Sequence, residues 1–148
     1  TIQFLSHGMR GDDIQIELEA VGGGRSIQQA AARISTGDRV LQTAMAALGA
    51  RSHPFQADFV KCPDALAPLD CPEKPMDFFL GAHSQTQGGT SLDNTFRVQA
   101  IKPTEWVLNA VQLSSISNGV VHGTVHQFSE SGDLLAIGSQ TGLLPRAK

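Results

Sequence analysis

Alternation of apolar and polar residues predicts the first strand of the chain. In residues 13–21 (DIQIELEAV) the apolar positions Ile14, Ile16 and Leu18 are separated by polar ones. This period of two is typical of a β-strand with one buried face. The three glycines Gly22-Gly23-Gly24 follow, and they predict a turn because glycine tolerates positive φ.

The next segments predict a long β-hairpin. Arg25–Ser35 and Arg39–Gly49 flank the turn sequence Thr36-Gly37-Asp38. Local propensity favours helix instead, since SIQQAAAR and LQTAMAALGA are rich in Ala and Gln. Strand is the preferred interpretation because turns bound both segments and because the matching segment VVHGTVHQF is rich in β-formers. If helix prevailed, the chain would be an unrelated α+β domain.

An internal repeat supports the hairpin. Residues 24–49 align with residues 119–144 without a gap, and the match extends backward into the alternating run. Shared turn residues and a shared period carry the match, which indicates two copies of one supersecondary unit. The matched positions are Gly24 with Gly119, Thr36-Gly37-Asp38 with Ser131-Gly132-Asp133, Val40 with Leu135, Ile16 with Val111 and Leu18 with Leu113.

The repeat divides the chain into three parts. Residues 1–49 form the first repeat, residues 50–89 a Pro-rich connector, and residues 90–148 the second repeat. The second repeat contains a predicted strand at Glu105–Ser114, a turn near Asn118-Gly119 and a hairpin that turns at Ser131-Gly132-Asp133. Within the connector, KPMDFFLGAHSQ predicts a short helix.

Charge and composition exclude several classes of partner. The formal net charge is -3 with acidic and basic residues interspersed, whereas a nucleic-acid-binding surface needs a basic stripe. No apolar run reaches the length of a membrane span. Cys62 and Cys71 are predicted to be free thiols in a reducing cytoplasm, with a disulfide as the alternative. His122 and His126 lie on a predicted strand, about 13 Å apart, too far to share a metal ion.

Three segments resemble acyl-CoA thioesterase II proteins. TSLDNTFRV, EWVLNAVQLSS and GTVHQFSESGDLLAIGSQTGLL are similar, in order and spacing, to the last half of that family. The first fifty residues resemble its amino-terminal repeat, notably at Phe4-Leu5 and Gly24-Arg25-Ser26. The resemblance implies an α+β double hotdog fold, in which long antiparallel sheets each wrap a helix. The first such helix would precede Thr1, so we expect further sequence upstream.

The resemblance also implies an activity and its residues. The family hydrolyses acyl-CoA to fatty acid and CoA without a metal or cofactor, and an Asp, a Ser or Thr, and a Gln hold the attacking water. Those positions fall on Asp93, on Ser114 (Ser115 if the register slips by one) and on Gln140. A carboxylate can take a proton from water, and a hydroxyl and an amide can fix its approach. A homo-oligomer is implied as well, with the acyl chain in a groove.

Two departures from the family pattern leave alternatives open. Asn94 stands where the family has His, and Thr141 where it has Glu. A noncatalytic acyl-CoA-binding or partner subunit would keep the groove and show no turnover. A hydratase of the same fold is disfavoured, because such enzymes have His five residues after the Asp and this chain has Val98 there.

Overall fold

A computed structural model describes residues 1–49, 54–55, 57–71 and 90–144. The helix that the sequence predicts within residues 74–85 lies outside the described residues. The chain divides into two compact units, which are considered separately below. Unit 1 comprises Thr1–Ala57 and Leu92–Asn94, and unit 2 comprises Asp58–Ser91 and Thr95–Lys148.

Strands dominate the part of the chain that the structure describes. The helical content there is one 3-10 turn at Pro68–Asp70, so helices of the expected α+β class are not seen among these residues. The strands are β1 (Ile2–Phe4), β2 (Gln15–Gly23), β3 (Gln28–Thr36), β4 (Arg39–Leu48), β5 (Thr90–Val98), β6 (Val107–Ser117), β7 (Val120–Ser129) and β8 (Leu134–Leu143).

Unit 1 is an antiparallel sheet in the order β2-β3-β4-β1, and Asp93 and Asn94 of β5 pair with β1. The hairpin of β3 and β4 confirms the strand prediction for residues 25–49 and shows that the helical alternative is wrong. Ala30 pairs with Ala46 and Ala32 with Ala44. The hydrogen-bonded partner strands thus outweigh the helix propensity of alanine, since propensity is a weak prior against tertiary context.

Unit 2 contains the sheet order β5-β8-β7-β6, with β6, β7 and β8 antiparallel. The turn between β6 and β7 has two central residues, Asn118 and Gly119, at φ 51° and 77°. Positive φ at both positions is the geometry that Asn-Gly favours in a two-residue hairpin. The predicted turn at Asn118-Gly119 is therefore confirmed.

Each unit has a bulge on the second strand of its long hairpin. Leu41 in β4 and Leu135 in β8 have no partner in the register of the adjacent strand. The carbonyl of Leu41 accepts hydrogen bonds from the N–H groups of Leu5 and Ser6. The carbonyl of Leu135 accepts bonds from Gln99 and Ala100 in the same way. The two units thus share an irregularity that fixes their register.

A second pair of bulges lies on the outermost strands. Val21 in β2 and Ser114 in β6 each lie between two paired residues without a partner of their own. Matching the bulges places Ser114 on Val21 and Leu135 on Leu41, one to two residues away from the ungapped alignment of the sequence. The two pairs of bulges differ from each other by one residue in offset, because the loop between β7 and β8 is longer than the turn of Gly37 and Asp38 between β3 and β4.

Buried side chains of unit 2 gather at the closed end of the hairpin of β7 and β8. Phe128 is 1% exposed, and Leu134 and Ala136 are also buried. Ser129 is buried beside them, and its Oγ accepts the Asp133 N–H at 3.1 Å and lies 2.9 Å from Ser131 Oγ. A buried hydroxyl that has hydrogen-bond partners costs little free energy of folding. The hydrogen bonds of Ser129 therefore attach the turn to the core.

A substitution at Gly138 in β8 tests this packing. A Cβ added there would lie 2.8 Å from Val125 Cγ1 and 3.4 Å from Phe96 Cδ2. Valine is stiff about χ1, so we expect Gly138→Ala to lower the free energy of unfolding by about 1–3 kcal/mol. Urea denaturation measures the change. Gly24→Ala is the control, because a Cβ there meets nothing within 4 Å, and an equal loss in both variants would contradict the packing argument.

An ion pair closes the loop before β8. Lys102 Nζ lies 2.6 Å from Asp133 Oδ1, and Ser131 Oγ donates to Asp133 Oδ2 at 2.7 Å. The hydrogen bond from Lys102, followed by that from Ser131, holds the pKa of Asp133 below its usual range. The folded state therefore binds this proton less readily than the unfolded chain does.

The lowered pKa of Asp133 gives stability a defined pH dependence. The contribution is complete above the unfolded pKa of the carboxyl and is lost as the pH falls through the folded pKa. We expect Lys102→Met to lower the urea midpoint at neutral pH and the difference from wild type to shrink under acid conditions. High salt should weaken the effect as well. Lys61→Met, which removes an exposed lysine, is the control, and a pH-independent difference for Lys102→Met would contradict this assignment.

Candidate functional site

Gln140 lies on β8 directly opposite Gly123 of β7. Its Nε2 donates a hydrogen bond of 2.7 Å to Ser91 Oγ on β5. The two residues are 49 positions apart in the sequence, so only the sheet brings them together. Gln140 is exposed, and its amide is thus both held at one end and accessible to a ligand.

Glycines surround Gln140 on its face of the sheet. Gly138 and Gly142 are its neighbours at alternate positions on β8, and Gly123 is its cross-strand partner. A Cβ at these glycines would meet both side chains and backbone: Leu113 and the Gln112 carbonyl at Gly123, Val125 and Phe96 at Gly138, and Val121 and the Thr90 carbonyl at Gly142. Gln140 therefore stands in a closely approached stretch of sheet. Glycine in a strand often marks such a close approach.

Asp93 lies on β5, two residues after Ser91, and pairs with Gln3 of β1 within unit 1. It is partly buried.

The alternation of β5 is interrupted near Asp93. Ser91 reaches Gln140, and Phe96 Cδ2 lies 3.4 Å from the position of a Cβ on Gly138. Gln140 and Gly138 share a face of β8, yet residues five apart on a regular strand point to opposite faces. The two contacts thus indicate an irregularity between Ser91 and Phe96. Bulges of this kind re-aim side chains and are common beside active sites.

Ser114 is the unpaired residue of the bulge in β6. Leu113 pairs with Gly123 and Ser115 with His122, which leaves Ser114 between them. Gly123 is also the partner of Gln140, so Leu113, Gly123 and Gln140 form one row across the sheet. Ser114 lies next to this row, on β6, two strands away from β8. That separation is about 10 Å between backbones. The structure therefore brings Gln140 together with Ser91 and does not place Ser114 next to Gln140 along the backbone.

Ser115 and Thr141 belong to a neighbouring row of the sheet. His122 pairs with Ser115 on one side and with Thr141 on the other. His122 Nδ1 and Thr141 Oγ1 are 3.2 Å apart, within hydrogen-bonding distance. Side chains of adjacent residues alternate between faces, so Thr141 and His122 lie on the face opposite Gln140.

Unit 1 has no counterpart of these polar side chains at the matching positions. With the bulges aligned, Val21 corresponds to Ser114. The cross-strand pair Ala30 and Ala46 then corresponds to Gly123 and Gln140. The candidate residues Ser114 and Gln140 therefore have no polar counterpart at the matching positions of unit 1.

Within the described ranges, no group of three or more His, Cys, Asp or Glu side chains is placed to hold a metal ion. No helix in that part of the chain is long and apolar enough to cross a membrane.

A family model described as the acyl-CoA thioesterase C-terminal domain matches residues 15–144 of the chain. The chain belongs to this family. The resemblance to acyl-CoA thioesterase II proteins is therefore confirmed, and family membership makes the chain a hydrolase of acyl-CoA thioesters. Comparison with curated proteins gives no match.

Solved structures agree on the fold. The acyl-CoA thioesterase II TesB2 of Mycobacterium marinum is 16% identical, with 99% of this chain and 79% of that chain covered and a TM-score of 0.84. The tesB protein of Mycobacterium avium subsp. paratuberculosis is 12% identical, with 98% and 77% covered and a TM-score of 0.81. A hot dog fold protein from Alicyclobacillus acidocaldarius is 16% identical, with 99% and 78% covered and a TM-score of 0.81. At these identities the likeness shows the hotdog fold alone.

Sequence analysis missed Ser91 and the bulges. Ser91 was part of the segment TSLDNTFRV that carries the family resemblance, but nothing local marks it as the partner of Gln140. Bulges have no reliable sequence signature at Val21 or Ser114, because they arise from the pairing of two strands.

Proposed function

We propose that this acyl-CoA thioesterase hydrolyses its substrate with a water molecule held by Asp93, Ser114 and Gln140. The observation that carries the proposal is the hydrogen bond from Gln140 Nε2 to Ser91 Oγ. It ties the candidate amide on β8 to the strand on which the candidate base lies two residues further on. The family supplies the reaction, and this contact supports the assignment of residues.

The chemistry requires one proton acceptor and two groups that orient water. The carboxylate of Asp93 takes a proton from water as the oxygen attacks the thioester carbonyl carbon. The tetrahedral intermediate then collapses, the carbon–sulfur bond breaks, and the proton passes to the departing CoA sulfur. Water adds its oxygen and one hydrogen to the acyl group and its other hydrogen to CoA, so the products are a fatty acid and free thiol. Gln140 and the serine hydroxyl each bind the water and lower the cost of orienting it.

Ser114 is the better assignment for the hydroxyl residue than Ser115. Ser114 is the unpaired bulge residue, whereas Ser115 pairs with His122. Bulges re-aim a side chain, and they are enriched beside active sites. A Ser114 hydroxyl, the long side chain of Gln140 and one water can together span a separation of about 10 Å.

The two departures from the family pattern are compatible with this assignment. Asn94 pairs with Ile2 of β1, a structural position within unit 1. Thr141 lies within hydrogen-bonding distance of His122 on the face opposite Gln140. Neither residue replaces a member of the proposed trio. A homo-oligomeric state, a cytoplasmic location and a role in lipid metabolism stay predictions from the sequence and the family.

Thiol release from a panel of acyl-CoAs tests the base and the amide. We expect Asp93→Asn and Gln140→Ala to lower kcat by about a hundredfold or more, because a positioned base and an oriented water contribute that much to rate. Matched controls are Asp13→Asn, which removes an exposed carboxylate, and Gln112→Ala, which removes an exposed amide on β6.

Near-wild-type turnover in both Asp93→Asn and Gln140→Ala, with the variants folded by circular dichroism, would overturn the proposed residues. Thiol release by the wild type also excludes the alternative of a noncatalytic acyl-CoA-binding subunit. Complete absence of release from every acyl-CoA would favour that alternative.

A pair of serine variants tests the hydroxyl assignment. Ser114→Ala should lower kcat by about tenfold or more, because water loses one orienting hydrogen bond. Ser115→Ala should stay within about twofold of wild type, since single surface substitutions away from such groups have small effects. Steady-state kinetics on one acyl-CoA measure both. The reverse ranking would move the hydroxyl role to Ser115.

A further inference from the structure

The side-chain amide of Gln140 has a defined orientation. Its Nε2 faces Ser91 Oγ at 2.7 Å, so the carbonyl Oε1 is directed away from Ser91. An amide presents donors at nitrogen and an acceptor at oxygen, and a half-turn about the last torsion would exchange them. That torsion is intrinsically broad, so a hydrogen-bond partner is needed to hold the amide in one position.

We infer that Ser91 is a positioning residue for thioester hydrolysis, which fixes the amide of Gln140 so that Oε1 accepts a hydrogen bond from the attacking water. The inference rests on the proposed function, in which Gln140 holds that water. An acceptor at this point binds one O–H of the water while the base takes the other hydrogen. The oxygen lone pair is thereby left free to attack the carbonyl carbon.

The surroundings of Gln140 make Ser91 effective in this role. The side chains that lie over the glycines around Gln140 are Leu113, Val121, Val125 and Phe96. These side chains neither donate nor accept hydrogen bonds, so they do not hold the amide. Ser91 Oγ accepts the hydrogen bond of Nε2 and so holds that end of the amide in place.

The position of Ser91 on β5 adds a second argument. Ser91 lies two residues before Asp93 on the same strand. Ser91 Oγ reaches Gln140, on the face of β8 that Phe96 approaches at Gly138. One short segment of β5 therefore carries the proposed base and the group that orients the amide.

Kinetics of thiol release from one acyl-CoA test the inference. We expect Ser91→Ala to lower kcat by about tenfold, the effect of losing one neutral hydrogen bond, with KM within about twofold. Ser91→Thr keeps a hydroxyl and should restore kcat. Ser91→Cys keeps the shape but offers only a weak acceptor, so its kcat should fall like that of Ser91→Ala. Ser139→Ala is the matched control, since it removes a hydroxyl next to Gln140 on β8.

A double mutant separates positioning from a merely structural role. If Ser91 acts through Gln140, Ser91→Ala should cause no further loss of kcat in the Gln140→Ala background. Independent, multiplicative losses would overturn the inference. The side-chain amide signals of Gln140 in nitrogen-15 NMR spectra, identified by their absence in Gln140→Ala, should shift in Ser91→Ala and return in Ser91→Thr.

The outcomes distinguish this inference from the proposed function. Wild-type turnover in Gln140→Ala would remove the proposed role of Gln140 and with it the basis for Ser91. A large loss in Gln140→Ala together with wild-type kcat in Ser91→Ala and Ser91→Cys would overturn the role of Ser91 alone. A loss in Ser91→Ala that appears only in KM would also overturn it, because an oriented water acts on the chemical step.

Discussion

The register of β7 against β8 is the constraint on which the candidate site depends. Leu135 is a bulge residue of β8 without a partner on β7, so the pairing beyond it is shifted by one residue. This shift places Gln140 opposite Gly123. A slip by one residue would move every side chain of β8 to the other face and put Thr141 where Gln140 stands. The Leu135 carbonyl, which accepts two backbone N–H groups from the segment after β5, holds this offset in place.

Much of the strand pattern could be predicted from the sequence because its signals are local. The Asn118-Gly119 turn needs only two residues with positive φ. The alternation in DIQIELEAV predicted the strand β2, but the predicted buried face is wrong for the described residues, since Ile16 and Leu18 are exposed. The alanines of β3 were harder, since their intrinsic preference is helical, and the repeat settled the choice. The candidate site residues were assigned from the resemblance to a family. The family match supports that resemblance.

The geometry of the site could not be predicted, since it arises from contacts between strands far apart in the chain. Ser91 and Gln140 are separated by 49 residues, and no local pattern relates them. The bulge at Ser114 depends on how β6 pairs with β7. No ungapped alignment can match Ser114 with Val21 and Leu135 with Leu41 at once, because the loop between β7 and β8 is longer than the turn between β3 and β4.

The bulges at Val21 and Ser114 have a consequence for solubility. Each lies on the outermost strand of its unit, β2 or β6, where a straight row of free N–H and C=O groups would invite pairing with a foreign strand. A bulge interrupts that row and twists the edge. The bulge at Ser114 therefore makes this edge a poorer template for a foreign strand, whatever the hydroxyl does in the site.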